Sequence, residues 1–154
     1  MKITFVFIYL FASLISHAQT VRGKVVRVAD GDTITILDSN NTQIRIRFHG
    51  IDCPENGQDF GQVARRFTSD LCFGKKVKID VKSKDQYGRT VGIVWVQDTL
   101  NVNLELLRAG LAWHYKLFDK STIFAEAEQT ARMEKVGLWK QKNAVAPWLF
   151  RKRR

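Results

Sequence analysis

Apolar residues in this chain come in two textures. Residues 3 to 15 form an almost unbroken apolar run behind Met1-Lys2, whereas everything beyond residue 19 breaks into short periodic stretches. Residues 21–37 alternate and are rich in Val, Ile and Thr, with a break at Asp30-Gly31-Asp32. Such a pattern predicts two strands joined by a tight acidic turn. Residues 43–48 set Ile44, Ile46 and Phe48 on one side and Arg45 and Arg47 on the other, a strand with one apolar face. Cys53-Pro54-Glu55-Asn56-Gly57 interrupts regular structure. Residues 62–71 then show helical spacing through Val63, Phe67 and Leu71, ended by Phe73-Gly74. Val77, Ile79 and Val81 alternate with Lys78, Asp80 and Lys82, and an apolar run over 91–96 follows Asp85-Gln86-Tyr87-Gly88-Arg89. These read as a hairpin with a wide turn.

Helical intervals return at Leu104, Leu107 and Leu111, with Gly110 as terminator for a helix over 102–109. A charged helix over 122–135 should turn Phe124, Ala127, Ala131 and Met133 inward and stop before Gly137. The tail over 143–154, with Pro147-Trp148 and then Arg151-Lys152-Arg153-Arg154, has little periodicity. It is expected to pack and to end in a mobile basic tip. Strands first, one helix inserted among them and helices last predict an α+β fold, a five-stranded OB-fold Greek-key barrel with about three helices.

A length of 154 residues suits one substantial core. The opening apolar run is shorter than the roughly 20 residues that cross a bilayer. Ser16-His17-Ala18 follows it with small residues at first and third places, as at a signal-peptide cleavage site. Residues 1–18 are therefore expected to be a signal peptide and 19–154 a single secreted or periplasmic domain, with no later membrane span. The formal charge of +10 falls to +9 once Lys2 is removed. That excess suits a polyanionic partner, although it would also serve solubility alone. Export permits a disulfide between the only cysteines, Cys53 and Cys72, the alternative being two buried thiols. His17, His49 and His114 show no metal-ligand spacing with them. His49 and His114 are expected to be structural.

Charge changes the picture most at the strand ends. Asp32 sits at a turn, Arg47 on a polar strand face, and Asp52 and Glu55 flank Pro54. Carboxylates converging from neighbouring turns would hold a hard cation such as calcium. Arginines beside them could grip phosphate and stabilise charge building up in a transition state. Any one of these residues alone would be an ordinary solvated charge; the combination carries the chemistry.

The strings Asp30-Gly31-Asp32-Thr33, Arg47-Phe48-His49-Gly50-Ile51-Asp52-Cys53-Pro54-Glu55 and Asp85-Gln86-Tyr87-Gly88-Arg89 resemble the staphylococcal nuclease (thermonuclease) family. The likeness extends over nearly all of the chain beyond residue 18. It implies a calcium-dependent, monomeric nuclease acting on DNA, RNA or both. Asp32 and Asp52 would then ligate Ca2+, with the Cys53 backbone carbonyl as a further ligand. Glu55 would act on the attacking water, Arg47 and Arg89 on the scissile phosphate, and Tyr87 on the nucleotide. Three departures stand out: Cys53 replaces a usual threonine, the loop after Glu55 is short, and Gln86 stands where the staphylococcal enzyme has lysine. Tyr115, and less so Trp113, could stack on a base, with packing roles equally open. The competing readings are a non-catalytic OB-fold module that binds nucleic acid, and a basic protein anchored to acidic polymers through residues 151–154.

Overall fold

The computed structural model describes residues 19–153; the expected signal peptide, residues 1–18, lies outside the described residues. Strand β1 (Thr20–Asp30) is long enough to serve two partners. Its first half pairs antiparallel with β5 (Lys76–Lys84), its second with β2 (Thr33–Leu37). Register shifts at Val25/Arg27 and Val28/Asp30 let it bend between them, as bulges do. From β2 the sheet continues to β3 (Gln43–Phe48), and β5 continues to β6 (Thr90–Val96). A parallel pairing of β3 with β6, Ile46 opposite Thr90 and Phe48 opposite Gly92, closes the ring. The result is a closed five-stranded barrel in a mixed α+β fold of the OB type. Its interior is filled by the apolar phase of each strand, including Val25, Ile34, Ile36, Ile46, Phe48, Ile79 and Val94.

Helix α1 (Gly61–Cys72) lies where spacing predicted it, but a different face is buried. Val63 is about half exposed, and Ala64, Thr68 and Cys72 press on the barrel instead, with Phe67 and Leu71 packed at their margin. Small side chains at i, i+4 and i+8 let the helix axis approach the sheet closely, so the bulky residues fall to either side. Both cysteines are buried free thiols, not the expected bridge. Cys72 Sγ is turned back to the Thr68 carbonyl of its own helix at 3.0 Å. Cys53 packs beside Gly31.

Two-residue β4 (Ile51–Asp52) follows β3, and β7 (Leu100–Asn101) leads into α2 (Val102–Arg108). Fully buried Asn103 clamps the fold: its Oδ1 accepts from the Val94 amide at 3.0 Å and its Nδ2 donates to the His49 carbonyl at 2.9 Å. Strand β8 (Trp113–His114) pairs with β4, placing Trp113 opposite Asp52. In α3 (Thr122–Met133), Phe124, Ala127 and Ala131 are buried as expected, whereas Met133 is 68% exposed. Met133 closes the helix, where a full turn of apolar contact is no longer available.

The tail over 143–154 packs as expected, but through a helix that its lack of periodicity did not predict. A 3-10 turn over Gly137–Lys140 and a fourth helix, α4 (Pro147–Arg151), fold back on the barrel mouth. Arg132 lies over the Trp139 ring at 3.7 Å and over Trp113 at 4.7 Å, and Trp148 meets Trp113 edge-on. These rings supply the apolar area that the residue pattern alone did not reveal. Among the described residues no helix is long and apolar enough to cross a membrane.

Candidate active site

The acidic turn between β1 and β2 rests on a bed of small groups. A Cβ on Gly31 would fall 2.8 Å from both the Cys53 and Ala64 Cβ atoms, so only glycine lets the turn lie this close. Thr68 Oγ1 donates to the Gly31 carbonyl at 2.6 Å and fixes it there. Asp32, almost fully buried, accepts the Cys53 amide on Oδ2 at 2.6 Å. The contact from Cys53 is thus its N–H, aimed at the carboxylate that sequence reasoning paired with it. Asp52 is held on β4 by β8.

Glu55 follows on a short, well-tied loop. Its amide donates to Gln58 Oε1 at 3.2 Å, and its carbonyl accepts the Gln58 amide at 2.8 Å. A Cβ on Gly61 would lie 1.9 Å from that same carbonyl oxygen, so the start of α1 abuts the residue directly.

Two guanidiniums stitch these acids together. Arg47, projecting from β3, pairs through Nη1 with Asp32 Oδ2 at 2.7 Å and through Nη2 with Asp52 Oδ1 at 2.7 Å. Arg151, from α4, places Nη2 at 2.8 Å from Asp52 Oδ2 and Nη1 at 2.6 Å from Glu55 Oε1. Sequence reasoning put Arg151 in a mobile basic tip and so missed it; within the basic run 151–154 nothing local singles out one arginine. Arg89 stands apart, on the turn between β5 and β6, with its Nε on Asp85 Oδ2 at 2.7 Å. Asp85 also accepts the Tyr87 and Arg89 amides on Oδ1, an arrangement that orients the whole turn. Burial works against its charge, but these hydrogen bonds outweigh it and hold the Asp85 carboxyl below the usual range. Asp85 is a second residue without an assigned role in the sequence reading, although it opens the motif.

Asp32, Arg47, Asp52, Glu55, Asp85, Arg89 and Arg151 line one cavity of about 700 Å³, together with Asp30, Tyr87 and Tyr115, whereas Cys53 is not part of its lining. Tyr87 is 71% exposed and its ring lies 5.5 Å from the Arg89 guanidinium. Tyr115 is covered on one face by Trp148, while Trp113 is packed between Trp139 and Trp148 rather than presented to the cavity. His49 and His114 share Asp119, at 3.4 Å and 3.0 Å, which gives His114 the partner its sequence neighbourhood did not suggest.

Electrostatically the site is short of positive charge. Asp30, Asp32, Asp52, Glu55 and Asp85 against Arg47, Lys84, Arg89 and Arg151 leave the cavity lining a formal charge of −1. Burial pushes the Asp32 carboxyl well above the usual carboxylate range. Arg47 and the Cys53 amide pull it back, while Asp30 and Asp52 push it further up. Burial opposes the charge of Arg47, but Asp32 and Asp52 outweigh it and keep the guanidinium firmly protonated. As the side chains stand, no group of three or more acidic, histidine or cysteine residues among those described converges to hold a metal ion. The carboxylate oxygens are instead taken up by the two arginines. The donor set, all oxygen with residual negative charge, nevertheless suits a hard divalent cation.

The family profile described as "Staphylococcal nuclease homologue" matches residues 45–141. The chain belongs to the staphylococcal nuclease family. Within this family it is 40% identical over 134 residues to an "Uncharacterized endonuclease" of Escherichia coli O157:H7, covering 87% of each chain. It is 40% identical over 141 residues to the "Micrococcal nuclease" of Shigella flexneri, covering 85% of this chain and 80% of the other. An "Uncharacterized endonuclease" of Haemophilus influenzae is 39% identical over 129 residues, 84% of this chain and 72% of that one. The span matched by the family profile includes Arg47, Asp52, Glu55 and Arg89, and ends before Arg151.

Proposed function

We propose that this chain, a nuclease by family, is an exported, calcium-dependent hydrolase of phosphodiester bonds in DNA, RNA or both, working as a monomer. The observation that carries the reading is the convergence of Asp32, Asp52 and Glu55 with Arg47 and Arg89 on a single open cavity. Asp32 and Asp52, with the Cys53 carbonyl, would hold the ion. When bound, calcium would lower the pKa of water and offset phosphate charge. Glu55, partly exposed and on a fixed loop, takes the proton from the attacking water at its carboxylate. As the water oxygen bonds to phosphorus, the bond to the leaving oxygen breaks and that oxygen is protonated by solvent. Arg89, already oriented by Asp85, donates to the phosphate oxygens as their charge grows. Arg47 supplies the second guanidinium once a cation takes over neutralising Asp32 and Asp52. Tyr87 and Tyr115 border the space open to a nucleotide base. Export rests on the sequence of residues 1–18, and on the net positive charge that suits a polyanionic substrate.

Incubation of residues 19–154 with denatured DNA and with RNA, in calcium and then in excess chelator, tests the reading. Calcium-dependent cleavage that stops on chelation is expected. Binding without cleavage at any calcium concentration would overturn it.

A further inference from the structure

Arg151 occupies the carboxylates in the manner of a cation. Its guanidinium spans Asp52 Oδ2 and Glu55 Oε1 at 2.8 and 2.6 Å, with a further contact from Nη1 to Asp52 Oδ1 at 3.2 Å. Asp52 is almost fully buried, so nearly all the compensation for its charge comes from Arg47 and Arg151. Hydrogen bonding to Asp52 foremost, and to Glu55, raises the Arg151 pKa further, against the cost of its partial burial.

The helix that delivers Arg151 has its own anchorage. Trp148, three residues earlier, stacks on Tyr115 with ring planes 5° apart and centroids at 5.1 Å. Gln58, which ties the Glu55 loop, also donates through Nε2 to the Val145 carbonyl just before α4. Two contacts from the tail therefore land on the lining of the cavity and a third on the loop that carries Glu55. Arg151 remains 44% exposed, so it can leave for solvent without unfolding the barrel.

Resting on the calcium reading above, we propose that Arg151 is an internal counter-cation that competes with the divalent ion for Asp52 and Glu55. Helix α4 then closes the site in the absence of metal, and metal entry displaces the guanidinium. One group cannot satisfy both, because each carboxylate oxygen that ligates an ion gives up its short guanidinium contact. The coupling is reciprocal: whatever holds Arg151 in place weakens cation binding by the same factor.

The test is direct cation binding to the chain lacking residues 1–18, by calorimetric titration with calcium. It compares the parent with Arg151→Gln, Arg151→Ala and, as a charge-matched control, Arg153→Ala. Removal of the Arg151 charge is expected to tighten calcium binding by about 5- to 150-fold, the range of ordinary coupling energies, while Arg153→Ala stays near the parent. The calcium-induced rise in melting temperature should likewise be larger in Arg151→Gln than in the parent. Equal or weaker binding in both Arg151 variants, or equal tightening in Arg153→Ala, would overturn this proposal while leaving the calcium reading intact. Failure of parent and variants alike to bind calcium would remove the calcium reading and this one with it.

Discussion

Trp148 lies flat on Tyr115, centroids 5.1 Å apart, so that α4 covers one face of a ring at the edge of the candidate active-site cavity. Stacked pairs of this kind contribute about 0.5–1.5 kcal/mol beyond the area they bury. Trp148→Ala should lower the free energy of unfolding by about 1–3 kcal/mol, and Trp148→Phe by less, since stacking survives. Denaturant melts followed by fluorescence check this; equal losses in the two variants would show that the ring stack contributes nothing specific.

Asp32 links stability to pH. Its folded pKa, pushed up to about 8 from 3.8, means that the native state keeps a proton that the unfolded chain has lost between those values. In the absence of cation, stability should therefore fall as pH climbs from about 4 to about 8. Asp32→Asn removes this dependence and should be more stable than the parent at pH 8.5 in chelator, yet bind calcium far more weakly. Melts across that pH window decide it; an unchanged slope in the variant would sink the assignment.

Glu55 and Arg89 should separate in their kinetics. Glu55→Gln removes the proton acceptor and is expected to lower kcat by about 10²–10⁴-fold, with oligonucleotide affinity largely kept. Arg89→Ala should reduce kcat more than it raises the dissociation constant, because its contacts strengthen as charge develops on the phosphate. Single-turnover rates beside filter-binding constants measure both. Unchanged rates in both variants would refute the placement of the site.

Gly61 controls Glu55 from outside the cavity. A methyl group there would drive into the Glu55 carbonyl, so Gly61→Ala must shift the loop. A loss of kcat of about tenfold or more is expected, with calcium affinity kept within a few-fold, as misplaced general bases lose rate before binding. An enzyme with normal kcat would show that Glu55 tolerates displacement.

Cys53 and Cys72 should count as two thiols. Burial pushes both pKa values up, that of Cys72 to about 12, so neither is a ready nucleophile in the native state. Thiol titration without reductant should find almost nothing in native protein and two groups in denaturant. A count of zero after unfolding would restore the disulfide.

What the sequence determined by itself was whatever depends on near neighbours. Alternation placed β3 at its observed bounds and located β1, β2, β5 and β6 to within a residue or two, because a strand's burial is written at a period of two. Ordered motifs brought Asp32, Arg47, Asp52, Glu55 and Arg89 forward as a group, and the fold does set them around one cavity. Tertiary structure decided the rest. The buried face of α1 fell on Ala64, Thr68 and Cys72 because the barrel wall, rather than the helix, sets how near the axis can come. Asp119 gained its role only once folding brought His49 to its second oxygen. Above all, Arg151 reaches Asp52 across 99 residues of chain. An ion pair between elements leaves no period and no local spacing in the sequence. It forms because α4, which no periodicity in the tail predicted, is anchored by Trp148 against Tyr115 and Trp113 and by the Gln58–Val145 hydrogen bond, which bring Arg151 to two carboxylates at the cavity.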